Sequence, residues 1–213
     1  MSPTLAYEIK PVTEENRQEI TDFLRTVFFK EEPLNAYLEL ITEENQACPT
    51  LEEFTLRHLD DGVNLMAVRN NEIIGICLCV AVEKGVTEPF DCENEKYNKI
   101  VEVLDYAERQ CDPFEVYPEC VRGVAVQVIS VKESCTGRGI AAHLIREACK
   151  IAGERKFEFM NITCTGLYSA KLAAKLNFDL KYTLNYSDYQ RNGIVVFKPQ
   201  LPHTSINVYL KKL

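Results

Sequence analysis

A glycine turn between a predicted strand and a predicted helix is the feature that most limits how this chain can fold. Residues 121–131 are rich in β-branched side chains, which is typical of a buried strand. The small residues of 134–139 follow, and from Ile140 the apolar side chains recur at helical spacing as far as Gly153. This order aims free backbone N–H groups and the positive end of a helix dipole at one point, which is typical of a phosphate site. Glycine matters there because a side chain would hold the anion away from the backbone.

Composition and charge argue against several classes of protein. The chain has 213 residues, with neither a long apolar run nor a basic and then apolar N-terminus, so no membrane span or signal peptide is predicted. Nine cysteines without a C-x-x-C pair and three scattered histidines predict reduced thiols, a cytoplasmic location and no metal site. The net charge of −8 argues against nucleic acid as a partner and suits a cationic substrate, although such a charge most often serves only solubility.

The first part of the chain predicts a strand followed by two helices. The strand covers residues 6–12. The first helix starts at a cap near Thr13, runs to about Lys30 and is halted by Pro33, because the residue before proline avoids the helical region. The second helix, capped by Thr50, ends before a turn at residues 61–62.

The rest of the pattern completes a single α/β domain over residues 1–213. The predicted elements are a pair of strands joined at Asn70-Asn71 (63–69 and 73–82), a polar loop (83–93), a helix (94–109), an irregular loop (112–120), the central strand and helix, a strand (157–163), a helix (168–175) and strands at 178–186 and 204–210. This order predicts a mixed β-sheet flanked by helices on both faces, and no linker divides it.

The glycine turn allows more than one interpretation. It could be only a strand-to-helix connection. Gly137-x-Gly139-x-x-Ala142 also matches the dinucleotide-binding pattern, which requires an acid at the end of the next strand. The candidate acid, Glu158, lies near the beginning of that strand, and too few residues follow for a doubly wound sheet. The dinucleotide interpretation is therefore disfavoured.

The turn resembles the acetyl-CoA pyrophosphate loop of the GNAT acetyltransferases, which follows their fourth strand and reads Q/R-x-x-G-x-G/A. It aligns as Thr136-Gly137-Arg138-Gly139-Ile140-Ala141, with threonine in place of glutamine or arginine at the first position. Further blocks resemble the insect arylalkylamine N-acetyltransferases of the dopamine group: FFKEEPLN (28–35), EVYPE (115–119), ISV (129–131), CTGLYSAKLAAKLNF (164–178), and VVFKP with PH (195–199 and 202–203). The resemblance implies the GNAT fold across the whole chain.

The resemblance also implies acetyl-CoA as the co-substrate, without a metal. The backbone of residues Ile129, Ser130 and Val131 is expected to pair with the pantetheine arm as an added strand would. The residues expected to bind the pyrophosphate are those of the loop itself: Thr136, Gly137, Arg138, Gly139, Ile140 and Ala141.

Glu32 matches the carboxylate that serves this family as general base. An amine with a pKa of about 10 arrives protonated and cannot attack a thioester until a nearby group accepts its proton. Because an exposed glutamate, with a pKa of about 4.3, would be a poor base, Glu32 is expected to be partly buried. The alternative is that Glu31 and Glu32 form only a solvated helix end.

Three further residues are candidates for assisting the departure of the CoA thiolate. Ser169 and Thr165 match family hydroxyls, although Thr165 stands where the dopamine enzymes have serine. Ser169 could also cap its helix. Many GNAT enzymes have a tyrosine acid at the position of Ala173, so Tyr168 is the nearby candidate; otherwise it packs or contacts CoA.

The amine pocket is expected to be walled by Phe28, Phe29 and Pro33, with His203 near its mouth as in the family. Aromatic residues at helical spacing and lone histidines are, however, more often structural. The sequence predicts a monomeric, cytoplasmic N-acetyltransferase for arylalkylamines of the dopamine, tyramine and serotonin type, acting by direct attack, with no nucleic-acid or membrane partner. Two alternatives stay open: acetylation of non-aromatic amines such as agmatine or polyamines, and binding of acyl-CoA without turnover.

Overall fold

The computed structural model describes residues 6–60, 63–87 and 93–213. The strands are β1 (Glu8–Pro11), β2 (Leu65–Arg69), β3 (Glu72–Glu83), β4 (Arg122–Val131), β5 (Phe159–Cys164), β6 (Asp179–Asn185), β7 (Gln190–Arg191), β8 (Ile194–Val195) and β9 (Ser205–Lys212). The helices are α1 (Arg17–Phe23), α2 (Pro33–Leu38), α3 (Pro49–Leu56), α4 (Glu95–Arg109), α5 (Pro113–Val116), α6 (Ile140–Glu154) and α7 (Leu167–Lys175). A π-helical segment, Leu24–Phe28, continues α1.

Seven strands form one mixed sheet in the order β1-β2-β3-β4-β5-β9-β6, and β7 pairs with β8 in a separate hairpin. β4 and β5 are parallel, and the other neighbours in the sheet are antiparallel. Each face of the sheet is covered by its own apolar core. The helical residues of one core come from α1 to α4, and those of the other come from α6 and α7. The predicted α/β architecture, a mixed sheet with helices on both faces, is confirmed.

β4 and β5 separate at the centre of the sheet. Their pairing covers only Val124–Val126 opposite Met160–Ile162, although β4 continues to Val131. On the other side of β4, Leu78 pairs with Val128 and Cys79 with Val126, so Gln127 is the extra residue of a β-bulge. Bulges bend and twist a strand and are common next to active sites. The bulge therefore lies where the two parallel strands begin to diverge.

Two helices begin at prolines, and their first residues differ from those predicted from the sequence. Pro33 was expected to halt the first helix, but it is the first residue of α2, with Glu32 as the N-cap. Pro49 likewise begins α3, so Cys48 occupies the N-cap position expected for Thr50. Proline suits the first helical position because its missing N–H would have no partner there and its φ is already helical.

The other predicted turns and loops agree with the structure in some places and differ in others. Asn70 and Asn71 have φ of 50° and 61°, as a two-residue hairpin turn requires, and they join β2 to β3 as predicted. The loop predicted over 112–120 contains α5, which Asp112 caps by accepting the N–H of Phe114. The β7–β8 hairpin was not predicted. The turn expected at residues 61–62 and residues 88–92 of the loop expected over 83–93 lie outside the described residues.

Among the helices that the structure describes, none has the length and apolar character needed to cross a membrane. In the same residues, no group of three or more metal-ligating side chains is found.

Candidate active site

Glu32 lies at the junction between the π-helical segment and α2. Its Oε2 accepts the N–H of Leu34 at 3.0 Å and that of Asn35 at 2.7 Å, so one oxygen is fixed by the start of the helix. The residue keeps some accessible surface, but Oε1 is buried and has no hydrogen-bond partner. A buried acceptor without a partner costs free energy, so this oxygen is suited to accept a proton or hydrogen bond from a ligand.

Burial raises the pKa of Glu32 above its ordinary value. The two backbone N–H groups and the nearby Thr165 side chain lower the pKa, but the effect of burial is larger. Thr165 lies close enough to stabilise the negative charge, although no hydrogen bond of normal geometry joins its hydroxyl to Oε1. The expected partial burial of Glu32 is therefore what the structure has.

Glu32 opens into a cavity of about 390 Å³ that lies against the point where β4 and β5 separate. Gln127 and Val128 line it from β4, and Thr163 and Thr165 line it from the β5 side. Much of the remaining wall is apolar and comes from the π-helical segment, α3 and α4: Phe28, Leu51, Phe54, Tyr97, Ile100, Val101 and Leu104. The charged side chains of Arg57, Asp105 and Glu108 also line the cavity. The cavity has the size and mostly apolar lining of a small-molecule site.

Polar side chains alternate along the cavity face of β5. Asn161, Thr163 and Thr165 line the cavity, whereas Ile162 and Cys164 between them belong to the core on the opposite face of the sheet. This alternation follows from the two-residue period of a strand. β5 thus presents a row of hydrogen-bonding groups to an otherwise apolar cavity.

The loop after β5 is held in place by Tyr186. The buried phenol donates to the backbone carbonyl of Thr165 at 2.6 Å. Burial raises the pKa of Tyr186, and the negative charge of Glu32 raises it further, so the phenol stays protonated near the carboxylate. Sequence reasoning did not select Tyr186, because a single tyrosine at a strand end has no distinguishing pattern.

Ser169 lies in the first turn of α7, on the other side of β5 from the cavity. The N-cap of α7 is Gly166, so Ser169 is not the helix cap that its position allowed. Its hydroxyl donates to the carbonyl of Gly166 at 3.0 Å and also lies next to the thiol of Cys164. Burial raises the pKa of Cys164 to about 12, so this thiol stays protonated and is not an activated nucleophile.

His203 and Tyr168 meet at the start of α7. The Nδ1 atom of His203 accepts the N–H of Leu167 at 3.2 Å, and burial lowers the pKa of its imidazole. A Cβ added to Gly166 would lie 2.7 Å from His203 and 3.2 Å from Pro33, so these three residues are in close packing. Tyr168 is 68% exposed, with its ring 5.7 Å from that of His203. The predicted residues Pro33, Tyr168 and His203 are therefore brought together.

Phe28 and Phe29 have different surroundings. Phe28 lines the cavity, as expected for a pocket wall. Phe29 is fully buried in the core beside α1 and is not among the lining residues, so the structure gives it a packing position. The difference arises because neighbouring residues on a helical turn point in different directions.

The glycine loop has the backbone geometry of an anion site. Gly137 and Gly139 have φ of 72° and 79°, which favour glycine, and a Cβ at either position would meet nothing within 4 Å. Gly139 is the N-cap of α6, so the N–H groups of Ile140 and Ala141 have no partner within the helix. Thr136 instead turns its hydroxyl to the carbonyl of Glu133 at 2.8 Å and stabilises the preceding turn.

The unpaired edge of β4 leads from this loop to the cavity. Ile129, Ser130 and Val131 pair with β3 on one side, opposite Cys77, Ile76 and Gly75. On the other side, the pairing with β5 has already ended at Val126. These residues therefore offer backbone donors and acceptors to an extended ligand between the two strands.

Comparison with known proteins agrees with this arrangement. The acetyltransferase (GNAT) family model matches residues 29–178, which is well over half of the chain. The chain belongs to the GNAT acetyltransferase family. Members of this family use acetyl-CoA, and the glycine loop, the free N–H groups of α6 and the unpaired edge of β4 fit a phosphate-bearing, extended co-substrate.

Solved GNAT structures match the chain over almost its whole length. Arylalkylamine N-acetyltransferase 2 from Aedes aegypti is 26% identical, with 97% of this chain and 98% of that chain covered and a TM-score of 0.89. The Drosophila melanogaster polyamine N-acetyltransferase, which forms N-acetylagmatine, is 20% identical, with 98% and 100% covered and a TM-score of 0.83. Arabidopsis thaliana NAA60, solved with acetyl-CoA, is 17% identical, with 98% and 99% covered and a TM-score of 0.56. The similarity to the latter two shows the fold alone.

Proposed function

We propose that this GNAT acetyltransferase transfers the acetyl group of acetyl-CoA to the primary amine of small arylalkylamines, with Glu32 as the general base. One observation carries the proposal: Glu32, whose buried Oε1 has no hydrogen-bond partner, lines a largely apolar cavity at the opening between β4 and β5. An amine bound in this cavity is held beside a proton acceptor and next to the path of an extended co-substrate.

The environment of Glu32 suits proton transfer from an ammonium group. Because burial raises its pKa, the carboxylate accepts a proton more readily than an exposed glutamate would. Oε2 is held by the N–H groups of Leu34 and Asn35, whereas Oε1 has no hydrogen-bond partner and is available to accept the proton. The neutral amine nitrogen then forms a bond to the acetyl carbon as the thioester C–S bond breaks, and CoA leaves as a thiolate that takes up a proton.

Acetyl-CoA supplies an activated acetyl group, and this chain's residues position it. The edge of β4 at Ile129, Ser130 and Val131 would pair with the pantetheine amides. The pyrophosphate would lie on the backbone N–H groups of the glycine loop and α6, in the stretch Thr136, Gly137, Arg138, Gly139, Ile140 and Ala141. Thr165 and the start of α7, with Ser169 and Tyr168, would assist the departing thiolate.

The walls of the cavity support an aromatic acceptor. Phe28, Phe54 and Tyr97 lie among aliphatic side chains, and a ring bound there would bury apolar surface against them. The arylalkylamine N-acetyltransferase named above, at 26% identity over almost the whole chain, supports the same substrate class.

A second candidate is acetylation of non-aromatic di- and polyamines. Two further carboxylates, Asp105 and Glu108, line the same cavity. Asp105 is paired with Arg109, and Arg57 also lines the wall, so Glu108 is the group that favours a substrate with a second positive charge. The fold similarity to the polyamine enzyme agrees with this candidate without favouring it. Binding of acyl-CoA without turnover is a third class, and a buried carboxylate with a free oxygen in the cavity argues against it.

The test is thiol release from acetyl-CoA with dopamine, tyramine, serotonin, agmatine and spermidine. We expect release with the arylalkylamines to be faster than with agmatine or spermidine. Glu32→Gln should lower kcat/KM about 10²- to 10⁴-fold, the usual contribution of a general base. The matched control is Glu31→Gln, which neutralises the adjacent exposed glutamate and should leave the rate nearly unchanged.

Two results would overturn the proposal. Faster release with agmatine or spermidine would favour the second candidate. No release with any amine, while acetyl-CoA still raises the Tm of the protein, would favour the binding class.

A further inference from the structure

The cavity contains a second titratable group that the proposed mechanism does not use. Glu108, in the last turn of α4, lines the same cavity as Glu32. Its Oε1 accepts the hydroxyl of Thr163 at 2.7 Å. Thr163 lies near the end of β5 and Thr165 directly follows the strand, so their Cα atoms are at most about 7 Å apart. Glu108 therefore lies farther along the cavity, beyond the reaction centre.

Glu108 combines accessible surface with a crowded carboxyl group. Glu108 is exposed at the protein surface and also lines the cavity, where neighbouring protein atoms partly bury its carboxyl group. This burial raises its pKa, the nearby negative charge of Asp105 raises it further, and the hydrogen bond from Thr163 lowers it. A donor group from a ligand would relieve the cost of keeping this carboxylate charged.

Asn161 adds an independent observation at the same place. It is the next residue along the cavity face of β5, it is only 8% exposed, and its Oδ1 has no hydrogen-bond partner. A buried amide oxygen is rarely left unpaired unless a ligand or water satisfies it. Asn161 and Glu108 thus both line the part of the cavity that lies away from Thr165, and each carries acceptor oxygens.

Two charged side chains of the cavity wall, Asp105 and Arg57, have other contacts. Asp105, one turn earlier on α4, is paired with Arg109 at 2.7 Å. Arg57, a guanidinium on the cavity wall, lies over the ring of Phe54 at 4.5 Å from its centroid. Within the residues that the structure describes, Glu108 forms no ion pair, and its hydrogen-bond partner is Thr163.

We propose that Glu108 and Asn161 form a second subsite of the amine cavity, which binds a hydrogen-bond donor at the end of the acceptor away from the reacting nitrogen. The inference rests on the proposed function of this cavity and narrows its substrates. The preferred acceptors are primary amines that carry such a donor, either a phenolic hydroxyl on the ring or a second ammonium group. Amines of the same shape without the donor leave both acceptors unsatisfied and are acetylated less efficiently.

The experiment compares matched amines that differ in the distal donor. Tyramine is paired with phenethylamine, and cadaverine with pentylamine, and kcat/KM is measured for each. In the wild-type protein, the donor-bearing member of at least one pair should be preferred by about tenfold or more. Glu108→Gln should reduce that preference, whereas Glu95→Gln, which neutralises an exposed glutamate at the other end of α4, should leave it unchanged. The pair that responds distinguishes a phenol from a second cation.

A ratio within each pair is insensitive to the fraction of folded enzyme and to the base, because both members share them. Thr163→Val, which removes the hydroxyl that positions Glu108, should change the same ratio in the same direction by a smaller factor. Equal rates within both pairs for wild type, or ratios that Glu108→Gln leaves unchanged, would overturn the subsite while acetyl transfer stands. Absence of turnover with all four amines would overturn the proposed function, and the subsite with it.

Discussion

The carboxylate of Glu32 accepts the backbone N–H of Asn35 at 2.7 Å, so the proposed base is also the N-cap of α2. The hydrogen bonds of the cap fix the direction of the side chain without a second charged residue. They also offset part of the cost of burying its charge. Local structure and chemistry are therefore combined in one side chain.

Two substitutions of Glu32 should distinguish its role as helix N-cap from its proposed role as general base. Glu32→Gln keeps an acceptor oxygen for the N–H groups of Leu34 and Asn35, whereas Glu32→Ala removes it. We expect both variants to lose acetyl transfer, and the alanine variant to be less stable than the glutamine variant by about 1 kcal/mol. Urea unfolding measures the difference, and equal free energies of unfolding would contradict a capping role.

The raised pKa of Glu108 should make stability depend on pH in a defined direction. The pKa of Glu108 is higher in the folded protein than the ordinary glutamate value, so the native state binds more protons between the two values. Its contribution to stability is fully present below the ordinary pKa and is lost as pH rises through the folded pKa. Glu108→Gln removes this dependence.

The corresponding measurement is urea unfolding of both proteins at about pH 4 and about pH 8, on either side of the expected window. The stability of Glu108→Gln relative to wild type should increase toward the higher pH. A difference that stays constant, or changes in the opposite direction, would show that the folded pKa is not raised.

The sequence predicted those parts of the site whose structure is determined by a local residue pattern. The glycine loop was predictable because a strand, two closely spaced glycines and an amphipathic helix determine its geometry locally. Glu32 was predictable only through the resemblance of its sequence block, since a glutamate before a proline equally fits a solvated helix end.

The missed residues depend on contacts distant in sequence. Glu108 is one of several charged residues on an amphipathic helix, and only the packing of α4 places it opposite Thr163, 55 residues later. Asn161 and Thr163 did leave a signal, because polar residues alternate with apolar ones in an otherwise buried strand. The tertiary hydrogen bond of Tyr186 has no corresponding signal in the sequence.

Substitution of Gly139 should weaken acetyl-CoA binding through the backbone alone. At φ of 79° an alanine is strained, at a cost of about 1–2 kcal/mol, although its Cβ would meet no atom. Gly139→Ala should therefore lower both stability and affinity for acetyl-CoA, measured by thermal unfolding with and without the ligand. Gly153→Ala, at an open position within α6, is the control and should raise stability by about 0.5–1 kcal/mol.

A finding that Gly139→Ala is as stable as wild type and binds acetyl-CoA equally well would remove the loop from the proposed site. A loss of stability in the Gly153 variant would instead indicate that α6 itself does not tolerate added side chains.

Tyr186→Phe should reveal how far the loop after β5 depends on one hydrogen bond. Loss of the donor to the Thr165 carbonyl should cost about 1 kcal/mol of stability and should lower kcat, because Thr165 lines the cavity beside Glu32. Tyr168→Phe removes the hydroxyl of an exposed tyrosine and should change stability by less than about 0.5 kcal/mol. Unfolding and steady-state rates, measured together, test both statements, and equal stability of the two variants would contradict the first.

The brief pairing of β4 with β5 makes the sheet two blocks, β1 to β4 and β5-β9-β6, whose backbones are joined over three residue pairs. An extended co-substrate bound between these strands would contact both blocks and connect them. Tighter binding of the co-substrate would then also raise the free energy of unfolding. At saturating concentrations of the co-substrate, each tenfold gain in affinity adds about 1.4 kcal/mol to the free energy of unfolding.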